Sequence, residues 1–380
     1  MVAHFAHHLL TALPVPLLPL IRDDFSLGYT QAGLVVAAFS LSYGIGQLPA
    51  GWLADRIGPR VLLTIGILGV AIAGMLVGLS RTFVLMIVFL ALMGIAGGGY
   101  HPSAAPLISA SVEPQNQGRA LGLHLIGGSG SFFLAPLAAT AIAAAWGWRS
   151  AFLVMAVPAA ALGITLYLIL GKHLKAKANT ETDAGQPDTA PVLTVRWRPL
   201  VAFMVMAVFA QAVTFSTISF IPIYMVDNLF VTERTAGAFL SFLYSAGLWA
   251  SPLGGWLSDK LGRVKVVVAT GLITGPLIFL LNIVPYGIIP FGALLLALGM
   301  MIYTRMPSAE SYILKETPLH RRSTIMGAYY FASMEAGGVL TPVMGSLIDR
   351  LGFFSSFTIA GIAVVAVTLV CLAFLRGSRD

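Results

Sequence analysis

Gly51-Trp52-Leu53-Ala54-Asp55-Arg56-Ile57-Gly58 recurs as Gly255-Trp256-Leu257-Ser258-Asp259-Lys260-Leu261-Gly262. Each copy follows one long apolar stretch and precedes another. Pro102-Ser103-Ala104 likewise returns as Pro307-Ser308-Ala309, and Pro136 has its counterpart in Pro342. The offsets are 204, 205 and 206 residues. A drift of one residue at a time is what two copies of one unit acquire through small loop insertions. The chain therefore reads as two related halves.

The solvent of those halves follows from composition. Of 380 residues, 58% are hydrophobic and 10% charged. A water-soluble domain carries roughly 25% charged residues, so this chain cannot build a water-facing surface. A spanning helix needs about 20 mostly apolar residues. The apolar runs here are long and do not alternate, which favours helices over strands. Forty glycines and 21 prolines fit membrane helices, where neighbours satisfy the freed backbone groups. The first apolar stretch lacks the basic leader of a secretory signal and reads as a retained span. Cys371, alone, excludes an intrachain disulfide.

Twelve spans are expected: 3–21, 31–54, 61–80, 83–110, 119–145, 149–171, 198–226, 235–258, 264–285, 287–314, 322–348 and 353–376. The polar stretch 172–197, with two prolines, reads as a flexible linker between a bundle over 1–171 and a bundle over 198–380. With the N-terminus placed inside, 16 lysines and arginines fall on inner segments, from Arg56, Arg60 and Arg119 to Arg376 and Arg379. Arg22, Arg81, Arg149, Arg234 and Arg350 fall outside. The bias implies cytoplasmic termini and an even number of spans. It also accounts for the +7 net charge without invoking nucleic acid.

The duplicated loop resembles the signature loop of the major facilitator superfamily, at the same two places. Trp146-Gly147-Trp148-Arg149 before span six and the proline- and glycine-rich fifth span are similar to that family too. The resemblance covers essentially the whole chain. It implies an all-α membrane protein of 12 transmembrane helices in two pseudo-symmetric six-helix bundles, working as a secondary transporter by alternating access. Within the family, His4-Phe5, Pro14 to Pro19, Gly97-Gly98-Gly99 and His101-Pro102 resemble fosmidomycin-resistance-type and drug:proton antiporter efflux proteins. Two departures stand out: His7-His8 replaces an Asn-Asp pair, and Ala135-Pro136 replaces Gly-Pro. The resemblance further implies a bacterial-type cytoplasmic membrane, a small-molecule substrate, protons as the coupling ion, a monomer and no cofactor.

Two sets of residues are candidates for function. Gly51, Asp55, Arg56, Gly58, Arg60 and their counterparts Gly255, Asp259, Lys260, Gly262 and Arg263 form the loops. The resemblance implies a latch that ties the halves together; the plainer reading is a topology determinant. Gly51 would admit a close helix contact and Gly58 a tight turn. Asp349-Arg350-Leu351-Gly352 resembles the same loop on the other side and reads as an echo.

The second set is intramembrane. Ionisable groups inside lipid are costly and normally face a partner or a watery gap. Arg305, roughly 15 Å deep at 1.5 Å per residue, suits an anion anchor. Glu335 is expected as its counter-ion or as a proton carrier, with Glu310 an alternative. The plainer reading is a packing ion pair between spans ten and eleven. His101, beside the position equivalent to Arg305 and ahead of Pro102, could meet a proton or substrate, or simply bond a carbonyl. Tyr100, Gln211, Tyr224, Tyr244, Trp249, Asn282, Tyr303 and Tyr329 could line a cavity. His124 reads as interfacial. His4 and His8 have the spacing of a helical metal pair, but no carboxylate or cysteine cluster adjoins them and no metal is expected. The sequence holds no nucleophile–base–acid set and no ATP-binding motif, so uphill movement of a solute would draw on a gradient.

Overall fold

A computed structural model describes residues 1–113, 116–178, 196–318 and 321–375. The described residues form helices and connecting turns. In hydrocarbon this is the local solution that satisfies every backbone group within its own segment. Among the described residues, ten stretches are long and apolar enough to cross a membrane. One of them is two passes in one: α14 (Arg322–Phe374) reverses at Gly352, where φ is 75° and ψ 172°. A further pass is built from α10 (Glu233–Ser245) and α11 (Ala250–Leu261), joined by a 3-10 turn over Ala246–Leu248. The total is the expected twelve.

In the N-terminal half, span one is α1 (Val2–Thr11) with α2 (Pro14–Asp24), span two α3 (Tyr29–Ile57) and span three α4 (Pro59–Leu79). Span four is α5 (Phe83–Gly98) with α6 (Tyr100–Ser111), span five α7 (Gln117–Trp146) and span six α8 (Trp148–Ala178). In the C-terminal half, α9 (Trp197–Leu229) is span seven, α12 (Arg263–Leu280) span nine and α13 (Ile288–Glu316) span ten. Prolines explain two of the breaks. Pro14 opens α2, and Pro102 lies in the first turn of α6; neither has an N–H to bond to the preceding turn. Most of the stretch expected as a linker, 179–195, lies outside the described residues.

The duplication is visible in the backbone. Four glycines have positive φ: Gly58 at 83°, Gly147 at 80°, Gly262 at 95° and Gly352 at 75°. Gly58 and Gly262 close the two repeated loops, and Gly147 and Gly352 occupy the matching turn before the sixth span of each half. A side chain at these angles would press on its own carbonyl.

The halves meet along two seams, α3 against α14 and α7 against α10. In the first, Tyr29 and Thr30 lie on Gly345, Gly33 on Pro342, Leu41 on Gly338, and Gly44 on Glu335. In the second, Gly237 lies on Thr140 and Gly247 on Ser129. Phe132 and Tyr244 cross between the halves with ring centroids 5.4 Å apart. The close glycine contacts of both seams end partway along their helices. Beyond them Gly327 and Gly255 meet nothing within 4 Å, and Leu48, Trp52, Leu125 and Trp256 are exposed. The halves thus converge on the face of Arg22 and Asp349 and part toward the face of the repeated loops.

A Cβ on Gly33 would stand 2.7 Å from the Pro342 Cα, whereas one on Gly130 would meet only Phe5 at 3.9 Å. Gly33→Ala is therefore expected to cost about 1–3 kcal/mol through overpacking and to lower the Tm of the purified protein. Gly130→Ala should leave it near wild type. Differential scanning fluorimetry on both variants checks the contrast.

Candidate functional site

Arg305 is among the largest fully buried side chains, at 2% exposure. Its position on α13 turns it toward α9, where Nη2 donates to Gln211 Oε1 at 2.7 Å. The other terminal nitrogen, Nη1, is buried without a partner. Among the described residues Arg305 forms no ion pair, so the expected pairing with Glu335 is absent. Glu335 instead rests against Gly44 across the seam, with Oε1 buried and unpartnered. Glu310 is equally separate: the Tyr330 hydroxyl bonds to it and its Oε1 is unpartnered. The reason is rotational. Arg305 bonds to span seven and Glu335 rests against span two, so the two charges do not meet. The plainer reading of a packing ion pair fails with it.

A buried guanidinium with one neutral partner carries a desolvation cost of several kcal/mol that no carboxylate offsets. What the site offers is a fixed positive charge with a free donor, suited to an anion.

The other half presents imidazoles instead. Spans one, four and five bring His4, His7, His8, His101 and His124 together. His4 stacks on His124 with centroids 4.2 Å apart, and its Nδ1 is 2.9 Å from the His124 carbonyl oxygen. His7 stacks on Tyr100 at 4.2 Å, with Nε2 3.2 Å from the Tyr43 hydroxyl. His8 packs on Phe132 and so touches the second seam. One expectation changes here: Tyr100 is fully buried rather than lining a cavity. His124, at the start of the apolar part of its span, is buried in this cluster. His101 sits among five other rings, those of His4, His7, His8, Tyr43 and Tyr100.

The converging face holds a network that sequence reading took for an echo. Asp349 accepts from the backbone N–H groups of Tyr29 at 2.9 Å and Thr30 at 2.8 Å, and from the Thr30 hydroxyl at 2.5 Å. A carboxylate from the C-terminal half thereby caps the first turn of α3, where orphan donors and the helix dipole favour negative charge. Arg22 pairs with Asp227 across the same divide, and the Tyr29 hydroxyl donates to Asp227 at 2.7 Å. Arg149 extends the network to Asp24 and the Ser80 carbonyl.

On the opposite face the described bonds of the repeated loops include contacts within each half. Arg60 donates to the Tyr167 carbonyl at 2.6 Å, and Arg263 to Ser311 at 2.7 Å, with Asp259 3.7 Å away. Arg56 lies over Trp52 and Lys260 over Trp256. Gly58 and Gly262 make the expected turns. The side chains of Gly51 and Asp55 lie outside the described residues, and Gly255 faces open space rather than a helix.

Two six-helix bundles around a pseudo-dyad, joined on one face and parted on the other, define a polytopic membrane carrier. The chain belongs to the Major Facilitator Superfamily, whose sequence profile matches residues 1–342 and 203–380. It is 26% identical to a probable sulfoacetate transporter of Cupriavidus necator, over 94% of this chain and 88% of that one. It is also 26% identical to a phosphoglycerate transporter protein of Salmonella typhimurium, over 95% and 84%. A bacterial homologue of the human lysosomal transporter Spinster, inward-facing and unoccupied, superimposes with a TM-score of 0.77 at 16% identity, covering 98% of this chain and 94% of that one.

Removing the two carboxylates that bridge the halves should loosen the converging face. In a Cys371→Ser background, spin labels at Arg81→Cys and Ile289→Cys report the distance across it. Asp349→Asn with Asp227→Asn is expected to add a longer component to the distribution measured by double electron–electron resonance.

Proposed function

We propose that this chain is a secondary active transporter of a small organic anion, with Arg305 as the anchor and protons as the coupling ion. The observation that carries this reading is the free Nη1 of a buried guanidinium that has no carboxylate partner. Two relatives named for sulfoacetate and phosphoglycerate, both anions, agree with it. Glu335 is assigned the proton. It lies at the inner end of a seam, where Gly44 leaves room for its carboxyl group, and protonation removes a charge that lipid penalises. Glu310 and His101 are the alternative carriers.

The basic, parted face is assigned to the cytoplasm, following the lysine and arginine bias. Both termini then lie inside a bacterial-type cytoplasmic membrane, and the arrangement described is open to the interior. The cycle rocks one half against the other about a midplane site. The Asp349 and Asp227 contacts hold the outer face shut in this arrangement, and the repeated loops, with Asp55 and Asp259, would close the inner face in the other. A monomer contains every part required. Alternating access is reversible, so direction follows the gradients: proton-coupled export is the first reading, and proton-independent uptake or exchange of an organic anion is the second.

Proteoliposomes separate these readings. Sulfoacetate and 3-phosphoglycerate are the first probes. A transported anion should raise the Tm of the wild-type protein and fail to do so for Arg305→Ala, with flux reduced at least about 100-fold, as for loss of a buried charge-assisted contact. An imposed pH gradient should drive accumulation by the wild type but not by Glu335→Gln, which should still exchange anion for anion. Flux indifferent to pH in the wild type would select the second reading. Anion binding unaltered by Arg305→Ala would remove the anchor.

A further inference from the structure

Five of the seven histidines of the chain converge in one half, and three of them face one another with ring nitrogens. One nitrogen from each of His4, His8 and His101 lies within 4.8 Å of the others. His4 and His8 are one turn apart on α1, so their rings share a face. His101 comes from the first turn of α6.

In two of the three rings the other nitrogen already has a partner. His4 Nδ1 bonds to the His124 carbonyl oxygen at 2.9 Å. That bond places the proton on Nδ1 and leaves the lone pair on Nε2, which is buried and has no partner. His8 Nδ1 is 3.0 Å from the Thr11 hydroxyl, again leaving Nε2 for another use. For His4 this is the pattern of metal-binding imidazoles, in which the far nitrogen bonds a carbonyl and so fixes ring and tautomer. His7, by contrast, directs Nε2 to the Tyr43 hydroxyl.

We propose that His4, His8 and His101 form a binding site for a divalent ion of the zinc, cobalt and nickel type. Imidazole nitrogen selects these borderline ions, whereas magnesium and calcium require oxygen ligands. Among the described residues no carboxylate joins the group, which disfavours the harder ions further. Tetrahedral zinc with bonds of about 2.0–2.1 Å sets nitrogens roughly 3.4 Å apart. Closing from 4.8 Å takes rotations of His8 and His101, both partly exposed. Three protein ligands leave a fourth position for water or an anion. Bound metal would tie span one to span four, and through His124 to span five.

The test uses full-length protein purified without a polyhistidine tag. Equilibrium dialysis against Zn2+ in excess Mg2+, read by elemental analysis, is expected to give one zinc per chain. Co2+ should give the visible absorption of a nitrogen-ligated, low-coordinate site. His8→Gln and His101→Gln, each checked for a monodisperse elution profile, should weaken binding at least about 10-fold. His173→Gln with His320→Gln, which removes the two histidines outside the cluster, should leave it intact. Absence of bound zinc and of a Co2+ spectrum in the wild type would overturn the proposal. So would stoichiometry and affinity unchanged in both single variants.

Discussion

Two helices in lipid gain little by burying apolar surface against each other, because acyl chains are as apolar as leucine. What remains is contact so close that only a missing Cβ permits it, together with polar bonds that water does not contest. Both occur where the halves meet. Gly33, Gly44, Gly338 and Gly345 bring α3 and α14 into contact, and Gly237 and Gly247 do the same for α7 and α10. Asp349 and Asp227 then close the rim by bonds to the opposite half. These seams set the height at which the halves part, and they bring Glu335 against span two.

Much of the fold could be read from the chain itself. A repeat at a nearly constant offset, apolar runs of spanning length and the lysine and arginine bias are one-dimensional signals, and they gave twelve spans in two halves. The turns at Gly58 and Gly262 were legible for the same reason, since a glycine in a short loop states its own backbone requirement. The site was less legible. Arg305 and Glu335 were marked by their cost in lipid, but which neighbour each one faces depends on how a helix is rotated in its bundle. Asp349 was passed over because its partners are backbone N–H groups of Tyr29 and Thr30, which leave no trace in residue types. The contacts of His124 and Tyr100 were not legible because their environment is assembled from spans one, four and five, and no local pattern announces it.

The duplication also shows how one backbone accommodates different chemistries. Gln211 and Arg305 stand at offsets of 204 and 205 from His7 and Tyr100. In one half the pair is a guanidinium bonded to an amide; in the other it is an imidazole stacked on a phenol. Spans one and four thus present imidazole nitrogen, and spans seven and ten a guanidinium. The carbon framework is nearly symmetric, and the polarity across it is not.

The place where the first seam ends has a mechanical corollary. Gly44 lies fourteen residues before Gly58 on α3, a lever arm of about 21 Å at 1.5 Å per residue. A tilt of roughly 20° about that point sweeps the far end through about 7 Å at this rise per residue, enough to admit a small solute, while the fulcrum stays put. Under the proposed cycle, Glu335 at that fulcrum would exchange one aqueous compartment for the other without being carried anywhere.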